Sequence, residues 1–115
     1  MLMHELSIAQ SLIDVVKEEM RKNNATALRS VRLHVGEMTA IVPEALAFSF
    51  EVVTNGTELE GTKLLMDVIP LRGFCPECNE EFEIKNFTFI CPTCESAKIE
   101  TIAGKELSIV EIEVA

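Results

Sequence analysis

A chain of 115 residues, 48% of them hydrophobic, is long enough for one compact domain with a small attached module and too apolar for a disordered tail. No apolar run approaches the roughly 18 residues that a membrane helix needs, and the N-terminus has no secretory signal, so we expect a cytoplasmic protein without a membrane partner. The net charge of −9 repels nucleic-acid phosphates and disfavours a nucleic-acid partner.

The first predicted element is an amphipathic helix. Apolar residues recur at three- and four-residue spacing over residues 6–20, and Ser7 with Gln10 resembles a capping box at the start. His4 and Glu5 are therefore expected just ahead of this helix.

A strand and a second helix are predicted next. Alternation over residues 30–36 indicates a half-buried strand, with Val31, Leu33 and Val35 on the buried face. Pro43 is typical of a helix start, since its missing N–H has no intrahelical partner there. The second helix is expected to run from Pro43 to Asn55.

Two further strands are predicted, over residues 63–71 and 106–114. In the last strand we expect Val110, Ile112 and Val114 to face inward. The fold class is therefore α+β: a small mixed three-stranded sheet with two helices, and an inserted module whose two Cys-x-x-Cys pairs are typical of a zinc ribbon.

The domain prediction follows from the same order of elements. We expect residues 1–72 plus 104–115 to form a helix–sheet domain, and residues 73–103, which contain all four cysteines, to form a module inserted between its strands. The glycine-bearing segments at Arg72-Gly73 and Ala103-Gly104-Lys105 are expected to act as its hinges.

The four cysteines form two Cys-Pro-x-Cys knuckles separated by twelve residues: Cys75, Cys78, Cys91 and Cys94. Two residues between the thiols of each knuckle allow both sulfurs to face one point, so two knuckles supply the four thiolates of a structural zinc site. Four protein ligands leave no open position for catalysis, although the same donor set also suits iron. A thiol–disulfide enzyme is disfavoured because neither knuckle has a cationic neighbour.

The cysteine segment is acidic and contains four phenylalanines. Phe74, Phe82, Phe87 and Phe89 are expected to form a miniature core around the metal. A zinc ribbon that binds nucleic acid would instead place Lys and Arg beside exposed aromatic residues.

His4 is the candidate ligand for a second metal. Most surface histidines bind nothing, and Glu5 beside it can simply complement the helix dipole. However, an imidazole next to a backbone amine and deprotonated amides can form a planar nitrogen set, the geometry that Ni(II) or Cu(II) favours. The chelate closes most readily if the native chain starts at Met3, so we expect Met1-Leu2 to precede the native terminus.

Taken together, these motifs resemble the HypA/HybF family of nickel chaperones for [NiFe]-hydrogenase maturation. Residues 3–7 are similar to the family's opening Met-His-Glu-x-Ser, and residues 35–37 to its strand-ending Gly-Glu. The two Cys-Pro-x-Cys knuckles lie at the expected distance, and residues 104–107 match the closing Gly-Lys-Glu-Leu. The resemblance covers essentially the whole chain.

The resemblance implies a two-metal protein that is not an enzyme. His4 would carry Ni²⁺ as transient cargo, with help from Glu5, while the four cysteines would hold structural Zn²⁺. Residues 1–72 plus 104–115 would then be the nickel-binding domain, and residues 73–103 the zinc-binding module. The implied partners are the nickel-binding GTPase HypB and the hydrogenase large subunit, with urease as a client of some relatives. Some relatives have a histidine shortly after the last cysteine, which this chain lacks. Independently of the resemblance, a sheet edge or the first helix could support a homodimer or a swapped assembly, and the sequence leaves the oligomeric state open.

Two other functions fit parts of the sequence. A zinc-ribbon adaptor for nucleic acid or the transcription machinery would use the same cysteines, and binding to DNA or RNA at low salt would reveal it. A metal–thiolate electron carrier would hold iron there, and its visible absorption would distinguish it from colourless zinc.

Overall fold

A computed structural model describes the backbone of residues 2–115 and the side chains of residues 4–115. The helices are α1 (Leu2–Lys22) and α2 (Pro43–Thr54), with a short 3₁₀ helix at Glu37–Thr39. The strands are β1 (Leu28–Gly36), β2 (Lys63–Ile69), β3 (Arg72–Cys75), β4 (Glu80–Glu83), β5 (Glu100–Ala103) and β6 (Leu107–Val114).

Within the described residues the strands form two three-stranded sheets, in the orders β2-β1-β6 and β4-β3-β5. The α+β class is confirmed, and the second sheet adds to the single predicted one. Both neighbours of β3 are antiparallel to it. No described helix combines the length and the apolar character needed to cross a membrane.

The first sheet is mixed, as contacts along β1 show. On one side of β1, Leu28 contacts Thr62 and His34 contacts Asp67, so the residue numbers of the two segments increase in the same direction. Strand β2 is therefore parallel to β1. On the other side of β1, the residue numbers of contacting residues change in opposite directions, so β6 is antiparallel to β1. The contacting pairs are Ala27 with Ala115, Arg29 with Glu113, Arg32 with Glu111, and Gly36 with Glu106. The helix between β1 and β2 supplies the crossover that a parallel pair requires.

The chain divides into two compact units. The first comprises residues through Leu33, Ile41–Met66 and Ile109–Ala115; the second comprises His34–Ala40 and Asp67–Ser108. The second unit thus includes more than residues 73–103, and the domain division drawn from the sequence remains a prediction.

In the first unit, α1 packs against α2. The predicted apolar stripe of α1 is buried, as are Leu46 and Phe50 of α2. The stripe consists of Ala9, Leu12, Ile13, Val16 and Met20. Full burial of a Val, Leu, Ile, Phe or Met side chain contributes about 1.5–3 kcal/mol, so an apolar stripe at helical spacing is a strong signal for a packed helix.

The predicted start of the first helix is wrong. The helix begins at Leu2, so Ser7 lies inside it and does not cap it. His4 and Glu5 consequently lie in the first turn of α1 rather than ahead of the helix.

The predicted inward face of the last strand is only partly covered: Ile112 is half-buried and, with Val114, lines a cavity beside Met20 of α1. Val110 and Val114 of β6 are 47% and 49% exposed, whereas β1 buries Val31, Leu33 and Val35 as expected. The cause is position in the sheet: β6 is an edge strand and β1 is central. Alternation in sequence identifies a face but does not tell whether another layer covers it.

Candidate metal centre

The first knuckle forms where β3 ends. Cys75 is the last residue of β3, and the N–H of Asn79 donates to its carbonyl oxygen at 2.8 Å, which closes a turn around Cys78. Asn79 has a φ of 58°, a left-handed conformation that asparagine tolerates better than most residues.

The second knuckle repeats this geometry without a strand. The N–H of Glu95 donates to the carbonyl oxygen of Cys91 at 2.9 Å, and Glu95 has a φ of 63°. The N–H of Cys94 also points to the Cys91 sulfur, at 3.5 Å. The residue after each second cysteine is therefore a turn-closing residue, a role that the sequence reasoning missed. The asparagine at position 79 was the available signal, since asparagine is enriched at positive φ.

The two knuckles bring their sulfurs together. All four cysteine Sγ atoms lie within 4.8 Å of one another, with 3.5 Å between Cys75 and Cys94 and between Cys78 and Cys91. A disulfide needs about 2.05 Å, so these are free thiols. Tetrahedral zinc with Zn–S of about 2.3 Å separates its sulfurs by about 3.8 Å. The donor set and its spacing fit structural zinc.

Within the described side chains, this is the one cluster of three or more cysteine, histidine or acidic residues close enough to share a metal ion. Cys75 and Cys91 are fully buried, whereas Cys94 is exposed. The cluster therefore has a buried side at Cys75 and Cys91 and a solvent-facing side at Cys94.

The surroundings of three of these thiols shift their pKa values in different directions. The N–H of Cys94, with that of Thr93, lowers the pKa of the Cys91 thiol to about 7, against the opposing effect of burial. Burial, followed by the neighbouring thiols, raises the pKa of Cys78 to about 12. The pKa of Cys94 is also raised: the backbone at Ser96 lowers it, but the thiol of Cys75 and burial outweigh that effect. A dication would displace the remaining protons and bind four thiolates.

The expected miniature core is only partly formed by phenylalanines. Ile84 is the buried apolar residue beside the knuckles, and Phe74, Phe82 and Phe89 are half-buried. Phe87 is 56% exposed, so the expectation that it belongs to the core is wrong. Its exposure follows from its position at the tip of a turn.

The N-terminal candidate residues differ in exposure. The side chain of His4 is exposed on the first turn of α1, whereas Glu5 beside it is only 3% exposed. Glu5 Oε2 accepts a long hydrogen bond, 3.5 Å, from the N–H of Val42, the residue that caps α2. The positive end of the α2 dipole stabilises this carboxylate. Glu5 Oε1 has no hydrogen-bond partner among the described atoms.

Glu37 and the second histidine, His34, make separate contacts. Glu37 Oε1 accepts a hydrogen bond from the N–H of Leu71 at 2.9 Å, so this carboxylate ties two chain segments together. His34 Nε2 lies 3.7 Å from Asp67 Oδ2 on the polar face of the first sheet. His34 is therefore an ordinary half-exposed strand residue.

The fold and the site define a class: a small α+β protein with a metal module of four cysteine thiols. The family model described as "Hydrogenase/urease nickel incorporation, metallochaperone, hypA" matches residues 3–114. The chain belongs to this family.

Curated relatives agree with the match. A hydrogenase maturation factor HypA of Desulfatibacillum aliphaticivorans is 40% identical over 98% of this chain and 88% of the relative. Another, of Acidithiobacillus ferrooxidans, is 36% identical over 97% of this chain and 99% of the relative.

Two solved structures share the fold. The solution structure of a HypA protein aligns with a TM-score of 0.75 at 23% identity, over 98% of this chain and 97% of that one. The Ni metallochaperone HypA from Helicobacter pylori aligns with a TM-score of 0.68 at 22% identity, over 96% of each chain.

Proposed function

We propose that this protein binds Ni(II) in the cytoplasm and delivers it to the large subunit of a [NiFe]-hydrogenase during maturation. The observation that carries the proposal is the family match over residues 3–114. It includes both the N-terminal Met-His-Glu and the cysteine knuckles. Metal transfer makes and breaks no covalent bond in a substrate, so the protein acts as a chaperone rather than an enzyme.

We propose His4 as the principal nickel ligand. Its imidazole is exposed and can be reached by an ion and by an acceptor protein. The first four N–H groups of a helix have no intrahelical acceptor, so amides beside His4 can be deprotonated without breaking helix hydrogen bonds. Nitrogen ligands of this kind suit the tetragonal geometry that Ni(II) favours.

Glu5 is proposed as an assisting residue. Its carboxylate is buried and one of its oxygens has no partner among the described atoms, which is costly unless another group compensates. A cation bound at the first turn of α1 would provide that compensation.

The four cysteines are proposed as the permanent zinc ligands. Bound zinc would fix the two knuckles to each other. The chain supplies a closed set of four sulfur donors, so zinc would have a structural role.

The proposed partners are the nickel-binding GTPase HypB and the hydrogenase large subunit, and the chain is also proposed to form a homodimer. The exposed edge strand β6 offers backbone groups for pairing with a second copy.

The proposal is tested with matched histidine variants. His4→Ala should abolish tight Ni(II) binding, a loss larger than the about 10- to 100-fold that changes around a metal ligand usually cost. His34→Ala removes the only other histidine and should leave nickel binding unchanged. Nickel titration and elemental analysis measure both, with zinc content and circular dichroism as controls. If His4→Ala binds nickel like the parent, the proposed site is wrong.

A further inference from the structure

An exposed apolar groove lies on the metal module, and none of the four cysteines lines it. It has a volume of about 450 Å³ and is lined by Phe82, Glu83, Lys85, Thr88, Ile90 and Pro92. Phe87, at the tip of the adjoining turn, is 56% exposed and Ile90 is 48% exposed. We call the groove together with Phe87 the tip surface.

The backbone presents Phe87 at an unfavourable position. The N–H of Thr88 donates to the carbonyl oxygen of Lys85 at 3.0 Å, which defines a four-residue turn. The two central residues, Asn86 and Phe87, have φ values of 53° and 55°. Turns with two positive φ values favour Asn-Gly, because glycine alone adopts the second position without strain.

Phenylalanine at this turn therefore has two local disadvantages, a strained backbone and an apolar ring in water. Strained residues persist where the surrounding structure maintains them, and they concentrate at binding and functional sites. Folding of the module does not account for Phe87, because the ring is not part of the buried core. A binding role accounts for both its exposure and its strain.

The charge around the tip surface limits the kind of partner. Six glutamates of the module are exposed: Glu77, Glu80, Glu81, Glu83, Glu95 and Glu100. Lys85, on the wall of the groove, and Lys98 are the basic residues of the same segment. Four thiolates around a zinc dication would make the module still more negative. Phosphate-rich surfaces are repelled by such a field, and basic segments are attracted.

We propose that the tip surface docks a basic segment of a partner protein, with an apolar side chain inserted in the groove beside Phe87 and flanking Lys or Arg residues facing the glutamates. Residues that dominate binding energy are typically large, often aromatic side chains near the centre of an interface, and the rim around them is polar. The proposal goes beyond nickel transfer and does not depend on nickel, since no tip-surface residue is a candidate nickel ligand.

The experiment uses the full-length, zinc-loaded and nickel-free protein. The probe is a short fluorescein-labelled peptide in which lysines flank one leucine, and anisotropy measures its binding at low and moderate salt. Two control peptides replace the leucine by serine or the lysines by glutamates. The lysine–leucine peptide should bind best, and the glutamate peptide should not bind.

Variants identify the surface. Phe87→Gly suits the positive φ and so keeps the fold, but it should weaken peptide binding about tenfold. Glu83→Gln should reduce the salt dependence of binding. Phe48→Ala changes another exposed phenylalanine, 55% exposed on α2, and should leave peptide binding unchanged.

Several outcomes would overturn the proposal. Equal binding of the leucine and serine peptides would indicate charge alone, and undiminished binding by Phe87→Gly would exclude the anchor. If Phe87→Gly instead turned a dimer into a monomer in sedimentation, the surface would be a self-association interface. Binding of DNA in preference to the peptide would also contradict it. Normal nickel uptake in any of these cases leaves the proposed function standing.

Discussion

At the cysteine knuckles, protons compete with the metal for sulfur. The pKa of Cys78 is raised to about 12 by burial and by the neighbouring thiols, and that of Cys94 is also raised. Near neutral pH these two thiols hold protons in the metal-free protein. The pKa of Cys91 is lowered to about 7 by backbone N–H groups, so this thiol takes up its proton only in more acidic solution.

We therefore predict that zinc affinity falls as pH falls. Each proton displaced makes the apparent affinity change about tenfold per pH unit, so Cys78 and Cys94 alone give about 100-fold per unit. The dependence should steepen below about pH 7, where Cys91 adds another displaced proton. Competition with a chromophoric chelator, corrected for the chelator's own protonation, measures the slope. A zinc affinity that is constant across this range would contradict the ligand assignment.

The positions of some single residues could be predicted from the sequence, and those of others could not. The cysteine cluster could be predicted because two residues between thiols fix a local geometry, and two such knuckles converge on one point. The exposure of Phe87 could not be predicted, because its hydrophobicity suggested a core residue. A turn with two consecutive positive φ values overrides that preference, and Asn86 alone is a weak signal for such a turn.

At the scale of elements, three chain segments of the second unit meet in a backbone junction. The N–H of Met38 donates to the carbonyl oxygen of Gly104 at 2.8 Å, and a Cβ on Gly36 would collide with that same carbonyl. Glu37 bonds the N–H of Leu71 in the third segment. Gly104, with a φ of +100°, was expected in a hinge. The close approach of these backbones opposes hinge motion at Gly104.

We predict that Gly104→Ala destabilises the protein by about 3 kcal/mol, because it combines a strained positive φ with a clash against backbone. The added Cβ would lie 2.5 Å from Leu71 Cα and 2.9 Å from the carbonyl oxygen of Pro70. Gly61→Ala is the matched control, since Gly61 has a φ of +87° and open space around it. It should cost only about 1 kcal/mol. Denaturant unfolding of the zinc-loaded variants measures the difference, and equal losses would exclude a role for the close contact.

Element positions could be predicted where packing and local preference agree. Pro43 marked the start of α2 correctly because its missing N–H suits the first helical turn. The start of α1 was predicted at residue 6 because Ser7 with Gln10 resembles a cap, whereas the helix continues back to Leu2. A capping pattern inside a longer helix is not distinguishable by sequence from one at its end.

For the whole molecule, the two proposed metal sites have opposite physical character. Four converging sulfurs, two of them on fully buried cysteines, would surround a bound zinc ion on all sides. The exposed imidazole of His4 on the first turn of a helix would leave a bound nickel ion open to water and to another protein. A closed ligand set retains a metal, whereas an open one permits exchange. A nickel carrier that also contains structural zinc requires this difference, because it must release nickel and retain zinc.

We predict that a strong chelator removes nickel from the doubly loaded protein well before it removes zinc. Binding free energies in small zinc modules are about 10–16 kcal/mol, and release there also requires the module to open. The N-terminal site requires no unfolding, so nickel should leave in a separate fast phase. Time-resolved absorbance with a chromophoric chelator, followed by elemental analysis, resolves the two metals. His4→Ala is the control and should lack the fast phase while keeping the slow one. Release of both metals in a single phase would mean that they are held with similar strength, and nickel could not then be passed on independently of zinc.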